Sequence, residues 1–253
     1  MRILITGGNS WIAQAIAVDR IARSDNVCLT ASSEASRETL LATCRGRGLG
    51  ASCVVFDLRN PDGLSAELDE RLHAVDGLIL HAATPVRTLE RFHNLPADEV
   101  DASIDADIKG NLFLLRRVLP GMLERRFGRI VFVSSVSVVM GTSRYGAYCL
   151  TKSALEGLIL NLAVDYGDCN VLSNIVRLGV FRTSRTERYW SRAKYVKRAA
   201  SVVPQGAIGE ADAVPEAIHP LLSPRQYING SVVTVSGGLP LLKMTSLPGR
   251  ADS

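Results

Sequence analysis

The sequence predicts an α/β fold with a doubly wound parallel sheet of about seven strands and helices on both faces. Three observations predict it. Short apolar segments alternate with longer segments of helical periodicity, a pattern typical of parallel strands joined by right-handed helical crossovers. The first strand, residues 2–6, is followed by a glycine turn and a helix, which is how a nucleotide-binding βαβ unit begins. The length of 253 residues fits one large α/β domain with a single core.

The elements follow in chain order from the hydrophobic periodicity. The predicted strands are residues 2–6, 26–30, 53–56, 77–81, 129–134, 171–176 and 231–235. The predicted helices are residues 11–23, 34–46, 62–72, 97–125, 146–166 and 211–222. The strand at 129–134 is apolar and β-branched, as expected of a parallel strand buried on both faces. We expect one domain over residues 1–244 and a polar tail over residues 245–253.

Composition indicates an ordinary soluble protein, with 47% hydrophobic and 21% charged residues. No apolar run approaches the roughly 20 residues of a membrane-spanning helix, and no signal-peptide pattern opens the chain, so we expect a cytoplasmic protein without membrane contact. The cysteines are odd in number and form no CxxC pair, so we expect reduced thiols and no metal site. They are Cys28, Cys44, Cys53, Cys149 and Cys169.

A serine, a tyrosine and a lysine are spaced to share one site. Tyr148 and Lys152 are four residues apart on a predicted helix, so they lie one turn apart on one face. Ser135 follows the apolar strand, 13 residues before Tyr148. Such a set suits protonation of a developing alkoxide, because the serine holds a carbonyl oxygen while the phenol donates a proton to it. The lysine would lower the pKa of the phenol from about 10 towards neutrality.

Together these residues resemble the short-chain dehydrogenase/reductase family over nearly the whole chain. The matching segments are TGxxxGxG at residues 6–13, NNAG at 80–83, NVxGxF at 107–112, NxVxPGxxxT at 174–183 and YITGxxxxxDGG at 227–238. The resemblance implies a Rossmann-type fold and NAD(P)H-dependent oxidoreduction. Residues 30–34, 118–122 and 203–206 look most like 3-oxoacyl-[acyl-carrier-protein] reductases.

The resemblance also implies the roles of individual residues. The catalytic residues would be Ser135, Tyr148, Lys152 and Asp107. The cofactor-binding residues would be Thr6, Gly7, Asn9, Ser10, Ile12, Ser32, Ser33, Arg37, Asp57, Leu58, His81, Ala82, Tyr148, Lys152, Gly179 and Thr183. Residues 182–206 would form a lid over the substrate.

The chain departs from the family pattern at several of these positions. Trp11 and Ala13 replace glycines of the phosphate turn, where glycine lets the backbone approach a pyrophosphate closely. Asp107 replaces an asparagine that anchors a water in the family's proton relay. A carboxylate cannot donate a hydrogen bond when ionised, and it can offset part of the effect of Lys152 on the tyrosine. Leu178 replaces the proline before Gly179.

The cofactor preference is indicated at the end of the second strand. NAD-specific members carry an acidic residue there, which accepts hydrogen bonds from the ribose hydroxyls. This chain has Ala31, Ser32 and Ser33, with Arg37 within reach. Neutral hydroxyls and an arginine suit a 2′-phosphate, so we expect NADP(H), with NAD(H) the less favoured cofactor.

The substrate is indicated by positive charge after Thr183. Residues 182–198 hold seven basic residues and one acid: Arg182, Arg185, Glu187, Arg188, Arg192, Lys194, Lys197 and Arg198. A basic lid attracts an acidic partner, and Tyr189 and Trp190 offer apolar surface to an acyl chain. Since Arg125, Arg126 and Arg129 are expected to border the same site, we expect acyl carrier protein as the partner. No nucleic-acid reader motif accompanies the charge.

Two classes of function follow from these observations. The first is an NADPH-dependent ketoreductase acting on a β-ketoacyl thioester in fatty-acid or polyketide-type biosynthesis. Another reductase or dehydrogenase substrate, such as a sugar or a cyclic alcohol, is an alternative within the enzyme class. The second is a weakly active or non-catalytic partner subunit of a hetero-oligomeric reductase, which Trp11 and Asp107 favour. In either class, the apolar helical segments 110–115 and 155–160 predict a homo- or hetero-oligomer, a dimer or a tetramer.

Overall fold

The computed structural model describes residues 1–184 and 187–241. They contain a seven-stranded parallel sheet with the order β3-β2-β1-β4-β5-β6-β7. The strands are β1 Arg2–Ile5, β2 Asn26–Ala31, β3 Ser52–Val55, β4 Gly77–Leu80, β5 Gly128–Ser135, β6 Val171–Leu178 and β7 Val232–Val235. The order reverses between β1 and β4, and this reversal opens a crevice at the carboxyl ends of the strands. The predicted fold class is confirmed.

The helices cover both faces of the sheet. They are α1 Trp11–Ala22, α2 Glu34–Gly46, α3 Ala66–Leu72, α4 Ala97–Ser103, α5 Gly110–Glu124, α6 Ser137–Met140, α7 Gly146–Asp165, α8 Glu187–Trp190, α9 Ala193–Ser201 and α10 Pro215–Leu222. In the part of the chain that the structure describes, none of the helices combines the length and the apolarity needed to cross a bilayer.

Two apolar cores lie on opposite faces of the sheet. Alternate residues of β5 point into different cores, Ile130 and Phe132 into one and Val131 and Val133 into the other. The first core is completed by α3, α5 and α7, and the second by α1, α2 and α10. Because both faces of β5 are buried, its apolar run needs no polar alternation, as the sequence predicted.

The predicted helix over residues 97–125 is interrupted. A π-helical segment, Ile104–Lys109, separates α4 from α5. The apolar spacing continues through it, so periodicity alone does not reveal the extra residue in the turn. Gly110 follows immediately, and a Cβ there would lie 2.5 Å from the Leu58 carbonyl oxygen. The close approach of this backbone to the loop after β3 therefore requires glycine.

Other boundaries differ at helix starts and in short helices. Ser65 caps α3 by accepting a hydrogen bond from the Leu68 amide, so this helix begins at residue 66 rather than 62. Pro215 lies in the first turn of α10, four residues after the predicted start. The helices α6, α8 and α9 were not predicted, because they are short or highly charged. The predicted tail, residues 245–253, lies outside the described residues.

Candidate active site

The glycine turn after β1 lies against the end of β4. Gly7 has φ +76°, and a Cβ there would lie 3.1 Å from the Ala82 Cα. The buried Thr6 hydroxyl accepts hydrogen bonds from the amides of His81 and Ala82, each at 2.9 Å. The two predicted segments, residues 6–13 and 80–83, therefore meet at the point where the strand order reverses.

The amino terminus of α1 forms the next part of the turn. Ser10 is its N-cap and accepts a hydrogen bond from the Ile12 amide at 3.3 Å. Asn9 donates to the Ser36 hydroxyl at 2.6 Å, which ties the turn to α2. Trp11 is half-buried at the first position of the helix, and Ala13 is fully buried in the core. The open backbone at Gly7 and the amino end of a 12-residue helix fit a pyrophosphate.

Polar side chains line the end of β2. Ser32 is exposed, and Ser33 caps α2 by accepting a hydrogen bond from the Ser36 amide. Arg37 donates through Nε to the Cys53 carbonyl at 2.8 Å and through Nη1 to Glu34 at 2.6 Å. Glu34 therefore offsets part of the positive charge that the sequence analysis assigned to a 2′-phosphate.

A second arginine near this edge was missed. Arg59 contacts both carboxylate oxygens of Asp57, at 2.8 Å from Nη2 to Oδ2 and 3.0 Å from Nε to Oδ1. Burial of Asp57 opposes its ionisation, but the hydrogen bonds from Arg59 outweigh burial and lower the pKa of the carboxyl group. The available signal was the exposed Arg59, two residues after Asp57 in the turn that follows β3. Leu58 itself is buried against Gly110.

Ser135 ends β5 and belongs to a chain of hydroxyl groups. Its Oγ accepts a hydrogen bond from the Ser137 amide at 3.2 Å and donates to the Ser137 hydroxyl at 3.1 Å. Thr142 donates to the same Ser137 hydroxyl at 2.8 Å. Ser137 was not predicted, although a third serine two residues beyond the strand end marks it in the sequence. The rotamer of Ser135 is thus held by its own loop.

Tyr148 and Lys152 extend from α7 towards the same strand end. Lys152 is buried and donates to the Val133 carbonyl at 2.9 Å. Its Nζ lies 4.7 Å from the ring centroid of Phe132 and 5.9 Å from that of Tyr148. The Tyr148 ring packs edge-on against Tyr145, with centroids 5.9 Å apart. Helix spacing and the strand end therefore place Tyr148 and Lys152 near the carboxyl end of β5, and their catalytic role stays a prediction.

Cys149, next to Tyr148, contacts the loop that follows β5. Its thiol lies 3.6 Å from the Ser137 carbonyl, and burial raises the pKa of the thiol. A thiol with a raised pKa is a poor nucleophile.

Asp107 lies in the π-helical segment and is buried. Its carboxylate accepts hydrogen bonds from the Thr84 amide at 2.7 Å and the Thr84 hydroxyl at 3.0 Å. The Asp107 backbone carbonyl accepts a bond from the Asn111 side chain at 2.6 Å. The carboxylate is thus bound to the loop after β4.

The remaining predicted residues lie around the same crevice. His81 and Ala82 are half-buried at the end of β4. Gly179 follows β6, and a Cβ there would lie 2.7 Å from the Ser236 Cα. Thr183 is half-buried four residues further on.

The described part of the predicted lid, residues 182–206, keeps its positive charge at the surface. Arg182 pairs with Glu210 at 3.2 Å, and Trp190 packs edge-on against Tyr195. The exposed basic residues of this stretch are Arg192, Lys194, Lys197 and Arg198. Arg185, together with the side chains of Arg188 and Tyr189, lies outside the described part.

The expectation for Arg125, Arg126 and Arg129 was wrong. They lie at the amino end of β5, whereas Ser135 lies at its carboxyl end. Arg129 is fully buried and donates to backbone carbonyls that include Asn170, Ser223 and Pro224. Arg125 and Arg126 also donate to backbone carbonyls. These arginines bind chain segments at the amino end of β5. Because Ser135 lies at the other end of this eight-residue strand, the length of the strand separates the arginines from the site.

The fold and the crevice define a nucleotide-binding α/β protein of the Rossmann type. Among the comparisons with known proteins, a family model described as enoyl-(acyl carrier protein) reductase matches residues 8–240. The chain belongs to the short-chain dehydrogenase/reductase family of oxidoreductases.

Individual relatives carry different activities in their names. The chain is 29% identical over 239 residues to the 3-oxoacyl-[acyl-carrier-protein] reductase FabG of Buchnera aphidicola, covering 93% of this chain and 95% of that protein. It is 30% identical to the oxidoreductase UcpA of Escherichia coli K12, covering 96% of each. It also resembles the structure of a 4-hydroxyisoleucine dehydrogenase complexed with NADH, with a TM-score of 0.83, 26% identity and 94% and 98% of the two chains covered.

Proposed function

We propose that this chain is an NADPH-dependent ketoreductase that reduces a β-ketoacyl thioester carried on acyl carrier protein. The observation that carries the proposal is the meeting of Ser135, Tyr148 and Lys152 at the carboxyl end of β5, on the crevice that holds the glycine turn. The name of the FabG relative supports the choice of substrate.

The nucleotide would lie along the turn from β1 to α1. The Gly7 backbone and the first amides of α1 would hold the pyrophosphate, and Asp57 would contact the adenine. Ser32 and Ser33 would hold the 2′-phosphate of NADPH, with Arg37 behind them. Because Ser32 and Ser33 stand where NAD-specific members carry an acidic residue, NADPH is favoured over NADH. The Glu34–Arg37 pair weakens that preference.

The contribution of the chain's own residues to the chemistry is a proton transfer to the substrate. When bound, the nicotinamide supplies a hydride to the substrate carbon. Ser135 would donate its one hydroxyl proton to the substrate carbonyl oxygen in place of the Ser137 hydroxyl, while the Ser137 amide keeps its hydrogen bond to the Ser135 oxygen. Tyr148 donates the proton to the developing alkoxide. The nearby ammonium of Lys152 would lower the pKa of this phenol, which makes it a better proton donor near neutral pH. The Val133 carbonyl fixes the position of that ammonium.

The surroundings favour an apolar acyl substrate. Val139 and Met140 follow the Ser135 loop and are 49% and 50% exposed. Phe92 is 66% exposed and packs on Gly146, where a Cβ would lie 2.9 Å from its ring, two residues before Tyr148. These apolar side chains would contact the acyl chain, while the exposed basic residues of α9 would attract the acidic carrier protein.

The test compares three thioesters of one β-ketoacyl group, carried on acyl carrier protein, coenzyme A or N-acetylcysteamine, with NADPH or NADH. We expect NADPH oxidation to be fastest with the carrier-bound thioester and to weaken with salt. The triple variant K194E/K197E/R198E should raise KM for the carrier-bound thioester alone. R45E/R47E is the control, because it reverses two exposed charges at the carboxyl end of α2, away from the crevice. Equal turnover of all three thioesters without salt dependence would reject the carrier protein.

A non-catalytic partner subunit is the second candidate. Trp11 in the phosphate turn and the Asp107 carboxylate favour it. Fluorescence titration with NADPH and NADH separates the candidates, since failure of both nucleotides to bind at millimolar concentration would support the partner subunit.

Under either candidate we propose a dimer or tetramer, of this chain alone or with a homologue. α7 presents Leu160 and Val164 to solvent, 39% and 82% exposed.

A further inference from the structure

A buried ion pair lies one helical turn beyond Lys152. Glu156 of α7 is 6% exposed at its side chain, and Arg177 of β6 is 21% exposed. The pair is bidentate, with Nε 2.9 Å from Oε1 and Nη2 2.5 Å from Oε2. Both carboxylate oxygens of Glu156 therefore bind one guanidinium group.

The position of this pair relative to Lys152 follows from the fold. Lys152 and Glu156 are spaced i,i+4 on α7, so their Cβ atoms lie about 6 Å apart on one face. Arg177 is the register partner of Ser134. Ser134 lies between Val133, whose carbonyl binds Lys152, and Ser135. The pair is thus next to the catalytic set on both the helix and the sheet.

An unpaired carboxylate at Glu156 would compete for Lys152. Glu–Lys pairs at i,i+4 form readily on helices, and burial strengthens their attraction. Arginine is the better partner here, because its planar fork binds both carboxylate oxygens at once. Hydrogen bonding to Glu156 accordingly raises the pKa of Arg177 despite its burial.

We propose that Arg177 and Glu156 are positioning residues, and that Arg177 holds the Glu156 carboxylate away from Lys152 so that the ammonium serves Tyr148. The proposal rests on the roles given above to Tyr148 and Lys152. It assigns no contact with substrate to either residue.

Other charged groups lie on the elements packed against α7. They are Asp98, Glu99 and Asp101 of α4, Asp105, Asp107 and Lys109 of the π-helical segment, Arg129 of β5 and Asp168 in the turn before β6. Asp107 is buried and bound to Thr84, while Lys109 pairs with Asp105. All of them are unchanged in the variants below, so differences among these variants report on the ion pair.

The test measures the pKa of Tyr148 directly, from the ultraviolet absorbance of tyrosinate in each protein minus that of the same protein carrying Y148F. R177M leaves a carboxylate beside Lys152, so the Tyr148 pKa should rise by about one unit. E156Q leaves an uncompensated guanidinium, so the pKa should fall by a similar amount. The double variant E156Q/R177M should return it to the natural value, and R177K, which keeps the charge, should hardly move it.

A matched control separates this effect from a loss of packing. Arg20 and Asp25 form another buried pair, with both side chains 7% exposed, at the carboxyl end of α1. R20M and R177M should both lower the unfolding temperature, but R20M should leave the Tyr148 pKa unchanged. Shifts of equal sign in R177M and E156Q, or no shift in either, would overturn the proposal. Because the titration needs no substrate, it remains decisive even if β-ketoacyl thioesters are not reduced.

Discussion

Replacing Asp107 by asparagine should trade stability for activity. The carboxylate accepts two hydrogen bonds from Thr84, at 2.7 and 3.0 Å. An asparagine of the same shape can keep both contacts, accepting from the amide and donating to the hydroxyl. However, both bonds lose their charge assistance, which is worth about 1 kcal/mol each. We therefore expect a loss of up to about 2 kcal/mol, or roughly 4–8 °C in unfolding temperature for a chain of this size.

The activity should change in the opposite direction. Removing a buried negative charge from a segment packed against α7 strengthens the effect of Lys152 on Tyr148. A fall of one unit in the Tyr148 pKa corresponds to about 1.4 kcal/mol, so a shift of that size raises kcat by up to about tenfold. The assay combines thermal unfolding with the rate of NADPH oxidation at fixed pH.

Thr84→Val is the matched control for this prediction. It removes the hydroxyl bond to Asp107 but keeps the carboxylate and the bond from the amide of residue 84. We expect this variant to lose stability with no gain in rate. If Asp107→Asn proves as stable as the natural protein and slower, the carboxylate assists the reaction and the electrostatic reasoning is wrong.

Three further predictions concern the catalytic set, a buried cation and assembly. Tyr148→Phe should abolish reduction with little change in NADPH affinity, whereas Lys152→Ala should damage both; turnover by the phenylalanine variant would mean that another group is the acid. Arg129→Met should destabilise the fold by about 3 kcal/mol or more, because it strips buried carbonyls of their donor; denaturant unfolding measures this loss, and an unchanged midpoint would contradict the buried network. Val164→Asp should shift the protein towards smaller species in light scattering if α7 forms an interface, and a natural protein that is already monomeric at micromolar concentration would refute assembly.

The sequence predicted the sheet well because each strand is short, apolar and followed by a turn or a helix. The predicted strand and the i,i+4 spacing on the predicted helix also bring Tyr148 and Lys152 near the strand end that carries Ser135, while the catalytic role of the three residues stays a prediction. The π-helical segment was not predicted, because an extra residue in one turn leaves the apolar spacing on either side of it intact.

Long-range contacts were the harder part of the prediction. Arg129 was expected to border the active site, on a surface that would meet a carrier protein. Its guanidinium is instead satisfied by carbonyls far along the chain, at Asn170, Ser223 and Pro224. The hydrogen bonds from Thr84 to Asp107 and the local pair of Arg59 with Asp57 depend on loop conformations that composition does not encode.

The Thr6 hydroxyl has a consequence for how ligands are recognised. It accepts two amide hydrogen bonds from the segment after β4 and lies 3.4 Å from the Ile79 carbonyl, so its hydrogen-bonding capacity is used entirely within the protein. The two sides of the crevice are therefore fastened together before any ligand arrives. A nucleotide meeting a preorganised wall loses little free energy to ordering it, and its affinity depends mainly on direct contacts. Substitutions elsewhere around the crevice would therefore leave this wall in its present shape.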